Sequence, residues 1–124
     1  MLQLIAIAVA GAIGALLRFW MSSWVYGLFG RDFPYGTLAV NVIGCLAMGI
    51  SFVLLVERLG SAPEWRALVM IGFLGAFTTF STFSLETLQL LEGGEIGRAL
   101  TNVAASLILC LGATWIGILA GRQM

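Results

Sequence analysis

Four apolar segments, each long enough to cross a lipid bilayer, constrain this chain more than any other feature of its sequence. They cover about residues 3–27, 37–56, 67–90 and 99–121, and a transmembrane helix needs about 20 mostly apolar residues. Charged residues make up only 10% of the chain, whereas an average soluble domain has about 25%. The sequence therefore predicts an all-α membrane protein with a single domain, 1–124, built from four transmembrane helices.

The chain contains no histidine and no lysine, which limits the chemistry that it can perform. Histidine is the commonest general base and metal ligand, and a phosphate-binding P-loop requires a lysine. Six basic residues are balanced by six acidic ones, so there is no basic surface of the kind that binds nucleic acid. We therefore expect neither an enzyme nor a nucleic-acid-binding protein, and we expect the lipid bilayer to surround the chain.

The arginines are divided evenly between the two sides of the predicted membrane domain. Four spans place both termini on one side, and the arginines then fall three to each side: Arg58, Arg66 and Arg122 with the termini, and Arg18, Arg31 and Arg98 opposite. An excess of Lys and Arg in short loops normally sets orientation, and here there is none. The tally predicts insertion in both orientations and an antiparallel dual-topology homodimer. The alternative is that a single group, such as the amino terminus, fixes one orientation.

The third span contains the unusual stretch GFLGAFTTFSTFSLE, residues 72–86. Its glycines and hydroxyl-bearing residues disfavour a plain helix, and irregular backbone occurs in membranes only where it is buried in protein or lines a cavity. We therefore predict a helix break near Gly75–Thr79, which would free carbonyl oxygens of the kind that coordinate alkali cations. The alternative is a continuous helix whose hydroxyls bond to carbonyls four residues earlier.

Three phenylalanines in this stretch, Phe77, Phe80 and Phe83, recur at every third position. Such a stripe usually faces lipid or packs in a protein core. An aromatic ring also carries a positive edge, and weak, multiple sites are what ion conduction requires. The stripe is therefore either packing or a weak anion-solvating surface.

Polar residues inside the other spans are candidate sites, because they are rare and costly in a bilayer. Arg18 either attracts an anion or extends to the membrane interface. Thr37 and Asn41 share a helix face, and they either hold a neighbouring helix or line a pore. The same two interpretations apply to a stripe on the fourth span: Asn102, Ser106 and Cys110.

Taken together, these motifs resemble those of the small fluoride channels of the Fluc/CrcB family. The resemblance covers all four spans and rests on GALLRFW, PYGTLAVN and GFLGAFTTFSTFSLE in that order. It implies a multi-pass protein of the bacterial plasma membrane that exports fluoride passively. It also implies an antiparallel dual-topology homodimer with two anion pores and a structural sodium ion (Na+) at the dimer centre.

The resemblance further implies which residues form the anion pore. Phe80 and Phe83 match the pore-lining phenylalanines of the family, Asn41 matches the pore asparagine, and Thr37 matches the hydroxyl one turn earlier. Ser106 belongs to the polar track of the fourth span, which varies within the family. These five residues are the expected anion pore.

Other matches concern the sodium ion and the charged residues. Gly75 and Thr78 match the positions whose backbone carbonyls, from both subunits, hold the sodium ion. Arg18 and Glu86 match the first-span arginine and the acid that closes the third-span motif. For these two we expect a role at the pore mouth or in structure.

Two other functions fit some of the sequence. A small dual-topology multidrug exporter would need a carboxylate in the first span, where Arg18 is the ionisable side chain. A subunit that assembles into a larger membrane complex would leave the hydroxyl–phenylalanine stretch without an explanation.

Overall fold

The computed structural model describes residues 1–60 and 62–124, and within these residues the chain is helical and contains no β-strand. Among the described residues, four helices are long and apolar enough to cross a membrane: span 1 (Leu2–Phe29), span 2 (Tyr35–Arg58), span 3 (Pro63–Glu92) and span 4 (Ile96–Gln123). Many large apolar side chains face outward on all of them. The predicted all-α membrane fold with four spanning helices is confirmed.

Spans 2 and 3 are assembled from several helical segments. In chain order the elements are α1 (Leu2–Phe29), α2 (Tyr35–Ser51), a π-helical segment (Phe52–Arg58), α3 (Pro63–Arg66), a second π-helical segment (Ala67–Leu74), α4 (Gly75–Phe77), α5 (Phe80–Glu92) and α6 (Ile96–Gln123). The π-helical segments were not predicted. An apolar run predicts a helix, but it does not distinguish bonds over four residues from bonds over five.

The break in the third span lies at Thr78 and Thr79, within the predicted stretch. Thr78 has φ −87° and ψ 159°, and Thr79 has φ −152° and ψ 120°, so both are extended. The Thr79 hydroxyl accepts a hydrogen bond of 3.2 Å from the N–H of Thr82 and thereby caps α5. The prediction of a third helix broken near its middle is confirmed.

Glycines allow the helices to pack with their backbones in contact. A Cβ atom added to Gly117 of α6 would lie 3.2 Å from the Cα of Gly49 on α2. A Cβ added to Gly72 in the third span would lie 3.0 Å from the Cβ of Ala10 on α1. Small residues at helix interfaces favour such close approach in lipid, and here they join α2 to α6 and α1 to span 3.

Candidate functional site

Asn41 of α2 supports the break in the third span directly. Its Oδ1 accepts the N–H of Thr79 at 2.7 Å, and its Nδ2 donates to the Thr79 carbonyl at 3.0 Å. One amide therefore satisfies both backbone groups of an extended residue that has no helical partners. Gly44, one turn further along α2, permits the approach, since a Cβ there would collide with Thr78 and lie 3.2 Å from the Phe77 ring.

The hydrogen bonds at the break release two carbonyl groups. In a continuous helix the N–H groups of Thr79 and Thr82 would donate to the carbonyls of Gly75 and Thr78. Instead, the first donates to Asn41 and the second to the Thr79 hydroxyl. The carbonyls that the sequence resemblance assigns to a sodium ion have thus lost their helical donors. Such oxygens suit an alkali cation, so the residues present fit the ion.

Arg18 of α1 also reaches the break. Its Nε donates to the carbonyl of Ala76 at 3.0 Å, and the residue is half-buried. Ala76 lies at the carboxyl end of the short helix α4, where carbonyls carry partial negative charge. The guanidinium group therefore lies against the broken span near its middle.

A cavity of about 250 Å³ lies beside the break, between α2, α5 and α6. We call it the break cavity. Its lining contains four of the five residues predicted for the anion pore, together with residues of the break and of the adjoining helices: Asn41, Phe80, Phe83, Ser106, Thr78, Thr79, Cys45, Leu107, Cys110 and Leu111. The structure therefore collects on one surface an amide, hydroxyls and two aromatic rings that are far apart in the sequence.

The phenylalanine stripe is divided between the core and the break cavity. Phe77 is buried and stacks on Phe73, with 6.1 Å between ring centroids and 4° between ring planes. Phe80 and Phe83 line the cavity with centroids 5.4 Å apart and planes tilted by 44°. Phe80 is 76% exposed in the single protomer. The break in the helix separates these two environments: the packing interpretation applies to Phe77, and the anion-solvating interpretation stays a prediction for Phe80 and Phe83.

The polar stripe of α6 connects the break cavity to α5. Asn102 is buried, and its Nδ2 donates to the Thr87 hydroxyl at 2.8 Å. The Ser106 hydroxyl lies 3.4 Å from Asn102 Oδ1, at the long limit of a hydrogen bond. Asn102 therefore joins two helices, while Ser106 retains the freedom to turn toward the cavity.

Thr37 does not line the break cavity but belongs to a second polar cluster. The Tyr26 hydroxyl donates to Glu86 Oε2 at 2.7 Å and lies 3.4 Å from the Thr37 hydroxyl. The Arg31 guanidinium lies 4.5 Å from the centroid of the Tyr26 ring. We call Tyr26, Arg31, Thr37 and Glu86 the tyrosine cluster. Glu86 Oε1 is buried without a hydrogen-bond partner among the described residues, so this carboxylate depends on Tyr26.

Several residues of these sites were not predicted. Tyr26 gives no local signal, because its partner Glu86 is 60 residues away in the chain. Cys45 does have a signal, since it lies four residues after Asn41 on the same face of α2.

The fold and the break cavity define a class: a small multi-pass helical membrane protein with a polar and aromatic surface at a broken span, as suits an ion channel. The chain matches the family model described as "CrcB-like protein, Camphor Resistance (CrcB)" over residues 5–118. It belongs to this family, and the resemblance inferred from its motifs is confirmed. It is a multi-pass protein of the bacterial inner membrane.

The curated relatives carry a common name. The chain is 51% identical to the fluoride-specific ion channel FluC of Geobacter sulfurreducens over 124 residues, which cover 100% of both chains. It is 48% identical to the channel of that name from Geobacter metallireducens, again over 100% of both chains. It is also 54% identical to the FluC of Methylococcus capsulatus over 99% of this chain, which spans only 54% of that longer relative.

Proposed function

We propose that this protein is a fluoride channel that lets fluoride leave the cytoplasm passively and so protects the cell from fluoride toxicity. The observation that carries the proposal is the break cavity, where an unwound transmembrane backbone places an amide, hydroxyls and two aromatic rings on one surface. Hydrogen fluoride enters an acidified cell as a neutral molecule and ionises inside. A passive channel then lets the trapped anion leave down its own gradient. Within this proposal no catalytic step is needed.

The proposed anion site has several weak donors. The Asn41 amide has two N–H groups, and one of them donates to Thr79, which leaves the other for an anion in the cavity. The Ser106 hydroxyl can turn from its long contact with Asn102. The ring edges of Phe80 and Phe83 add partial positive charge. Together these groups would bind a small anion weakly enough for it to leave again.

The tyrosine cluster is the proposed mouth of the pathway. Arg31 supplies a positive charge beside a cavity of about 290 Å³, which Tyr26 and Glu86 also line. Thr37 acts here through its contact with the Tyr26 hydroxyl. Glu86 has the structural role of fixing that hydroxyl, because it accepts the Tyr26 hydrogen bond.

The proposal includes an antiparallel homodimer with a sodium ion at its centre. Phe80, at 76% exposure, is exposed on the protomer surface at the break, and Gly75 is exposed there too. A second copy would cover these residues and would place a second pair of released carbonyls, from Gly75 and Thr78, opposite the first. When bound, the ion would neutralise these converging carbonyl dipoles. Arg18 would hold the adjoining Ala76 carbonyl in position.

The arginine count supports insertion in both orientations even when Arg18 is left out of it. Arg18 bonds to the break, so the loops and ends carry three arginines on the side of the termini and two, Arg31 and Arg98, on the other. On the side of the termini, Arg122 pairs with Glu57 at 3.0 Å. This difference of one arginine is a weak orientation signal. No structural observation favours the exporter or the assembly subunit.

Growth in fluoride tests the proposal in cells. A bacterial strain without its own fluoride exporter, grown in mildly acidic medium, should regain growth at elevated fluoride when it produces this chain. The matched control is Asn41→Asp, which places a negative charge in the break cavity and should not restore growth at equal protein level. Equal growth with Asn41→Asp, or no rescue by the wild-type protein in the membrane, would contradict the proposal.

Labelling tests the orientation. On a background without native cysteines, a cysteine introduced at Asp32, in the turn after span 1, is treated with a reagent that cannot cross the membrane. Partial labelling of intact cells, completed after permeabilisation, is expected for a dual-topology protein. Complete labelling or complete protection in intact cells would establish a single orientation.

A further inference from the structure

Two cysteine side chains, from different helices, line the break cavity. Cys45 of α2 and Cys110 of α6 both line it, and both are half-buried free cysteines. A Cβ added to Gly49, one turn after Cys45, would collide with the backbone carbonyl of Thr114, one turn after Cys110, so the two helices are in backbone contact beside the cysteines. Neither residue has a place in the proposed anion site, so the pair has no role in the function described above.

The register of α2 and α6 places the two thiols at the same level of the cavity. Asn41 and Ser106 line the cavity at one level, and the cysteines follow four residues later on each helix. Glu57, in the π-helical segment that continues α2, pairs with Arg122 of α6, and these two residues are also 65 positions apart. The two helices therefore run side by side with one constant offset. A rigid, close-packed helix pair thus holds the two thiols together, without the help of a mobile loop.

The chemistry of a thiol pair selects a particular class of ligand. Thiolate sulfur prefers soft metal ions such as Cu(I) over hard cations. A tetrahedral zinc site needs more ligands than two thiols supply, and the described residues contain no group of three or more His, Cys, Asp or Glu side chains that could hold a metal. Two opposed thiolates instead match the linear, two-coordinate preference of Ag(I) and Cu(I).

We propose that Cys45 and Cys110 form a two-thiolate site for a soft monovalent metal ion, and that its occupation stops anion flux through the break cavity. Two S–H bonds break and two sulfur–metal bonds form, both protons pass to water, and no atom changes oxidation state. Two neutral thiols and one monovalent cation thus give a complex with one negative charge. That charge lies one helical turn from Asn41 and Ser106, where it repels an anion.

The test combines metal binding with fluoride efflux, and the probe is Ag+ in chloride-free buffer. Silver fluoride is soluble, so the probe and the permeant ion are compatible. Calorimetric titration of the purified protein should show a single tight Ag+ site per chain. Cys45→Ser and Cys110→Ser should each abolish it. The double variant keeps all five methionines and thus controls for thioether binding.

Efflux from liposomes provides the second readout. The effect on flux rests on the proposed function, whereas metal binding does not. Each variant's fluoride efflux with Ag+ is divided by its own efflux without Ag+. Wild-type efflux should fall to the level of protein-free liposomes and should return when excess dithiothreitol removes the metal. The efflux of all three serine variants should be insensitive to Ag+.

The outcomes separate the two ideas. Tight Ag+ binding that survives either single substitution would overturn the paired site. Binding that requires both thiols without any loss of flux would overturn the block. If the wild-type protein conducts no fluoride even without Ag+, the proposed function fails, and the titration still decides whether the metal site exists.

Discussion

The contact between Asn41 and Thr79 gives the most specific prediction about how the break is maintained. The change is Asn41→Leu, which keeps a similar side-chain size and removes both hydrogen-bonding groups. Two bonds are lost, the 2.7 Å bond from the Thr79 N–H and the 3.0 Å bond to the Thr79 carbonyl. An unsatisfied buried polar group costs about 1–3 kcal/mol, and Thr79 is half-buried, so the two groups together should cost about 2 kcal/mol, the low end of that range for each.

The chain can recover part of this free energy only by closing the break. If Thr79 turns helical, its N–H can donate again to the Gly75 carbonyl, which is then no longer free to bind a cation. Asn41→Leu is therefore expected to lower the free energy of unfolding and to abolish fluoride efflux, because the extended backbone beside the cavity is lost.

The assay is equilibrium unfolding in detergent at fixed protein concentration, followed by the fluorescence of the four tryptophans. The matched control is Asn102→Leu, which likewise removes an amide but costs its partner Thr87 a single side-chain bond. A loss of about 1 kcal/mol is expected for the control. If Asn41→Leu is no less stable than Asn102→Leu, or if it retains wild-type efflux, then Asn41 does not maintain the break.

Three further substitutions test the anion pore, the packing of α2 on α6, and the tyrosine cluster. Phe80→Ile should slow fluoride efflux about fivefold, since a lost aromatic contact of about 1 kcal/mol changes a rate by that factor. Unchanged efflux would show that the ring only packs. Gly117→Ala should destabilise the protein by about 1–3 kcal/mol, because the new methyl group would collide with the α2 backbone. Its control, Gly112→Ala, has open space around it and should have no such effect. Equal stability of the two variants would contradict the close packing of α2 on α6. Tyr26→Phe removes the hydroxyl that donates to Glu86 at 2.7 Å. It should lower the free energy of unfolding by about 1.5–3 kcal/mol, the value of a hydrogen bond to a charged group. A free energy of unfolding within error of wild type would contradict the dependence of the Glu86 carboxylate on Tyr26.

The parts of the structure that could be predicted are those fixed by local sequence. The apolar segments specify four spans because only lengths near the bilayer thickness are stable there. The break could be predicted because glycines and hydroxyl residues weaken the helix at the position where the chain leaves it. Thr79, a strong N-cap residue, then restarts the helix.

The parts that could not be predicted depend on which elements meet in space. Thr37 and Asn41 share a face of α2, yet one contacts Tyr26 and the other contacts Thr79. The face follows from helical periodicity, whereas the two partners follow from the packing of spans 1 and 3 against the first half of α2. Arg18 illustrates the same limit, because its position in span 1 gave no indication of a bond to Ala76 of span 3.

We propose that the broken third span forms a pathway that conducts fluoride and excludes larger anions. The most direct measurement is anion efflux from liposomes containing the purified protein, with valinomycin to balance the charge, recorded first with a fluoride electrode and then with a chloride electrode. We expect rapid fluoride efflux and chloride efflux no faster than that of protein-free liposomes. Equal efflux of both anions, or no fluoride efflux from folded protein, would contradict this proposal.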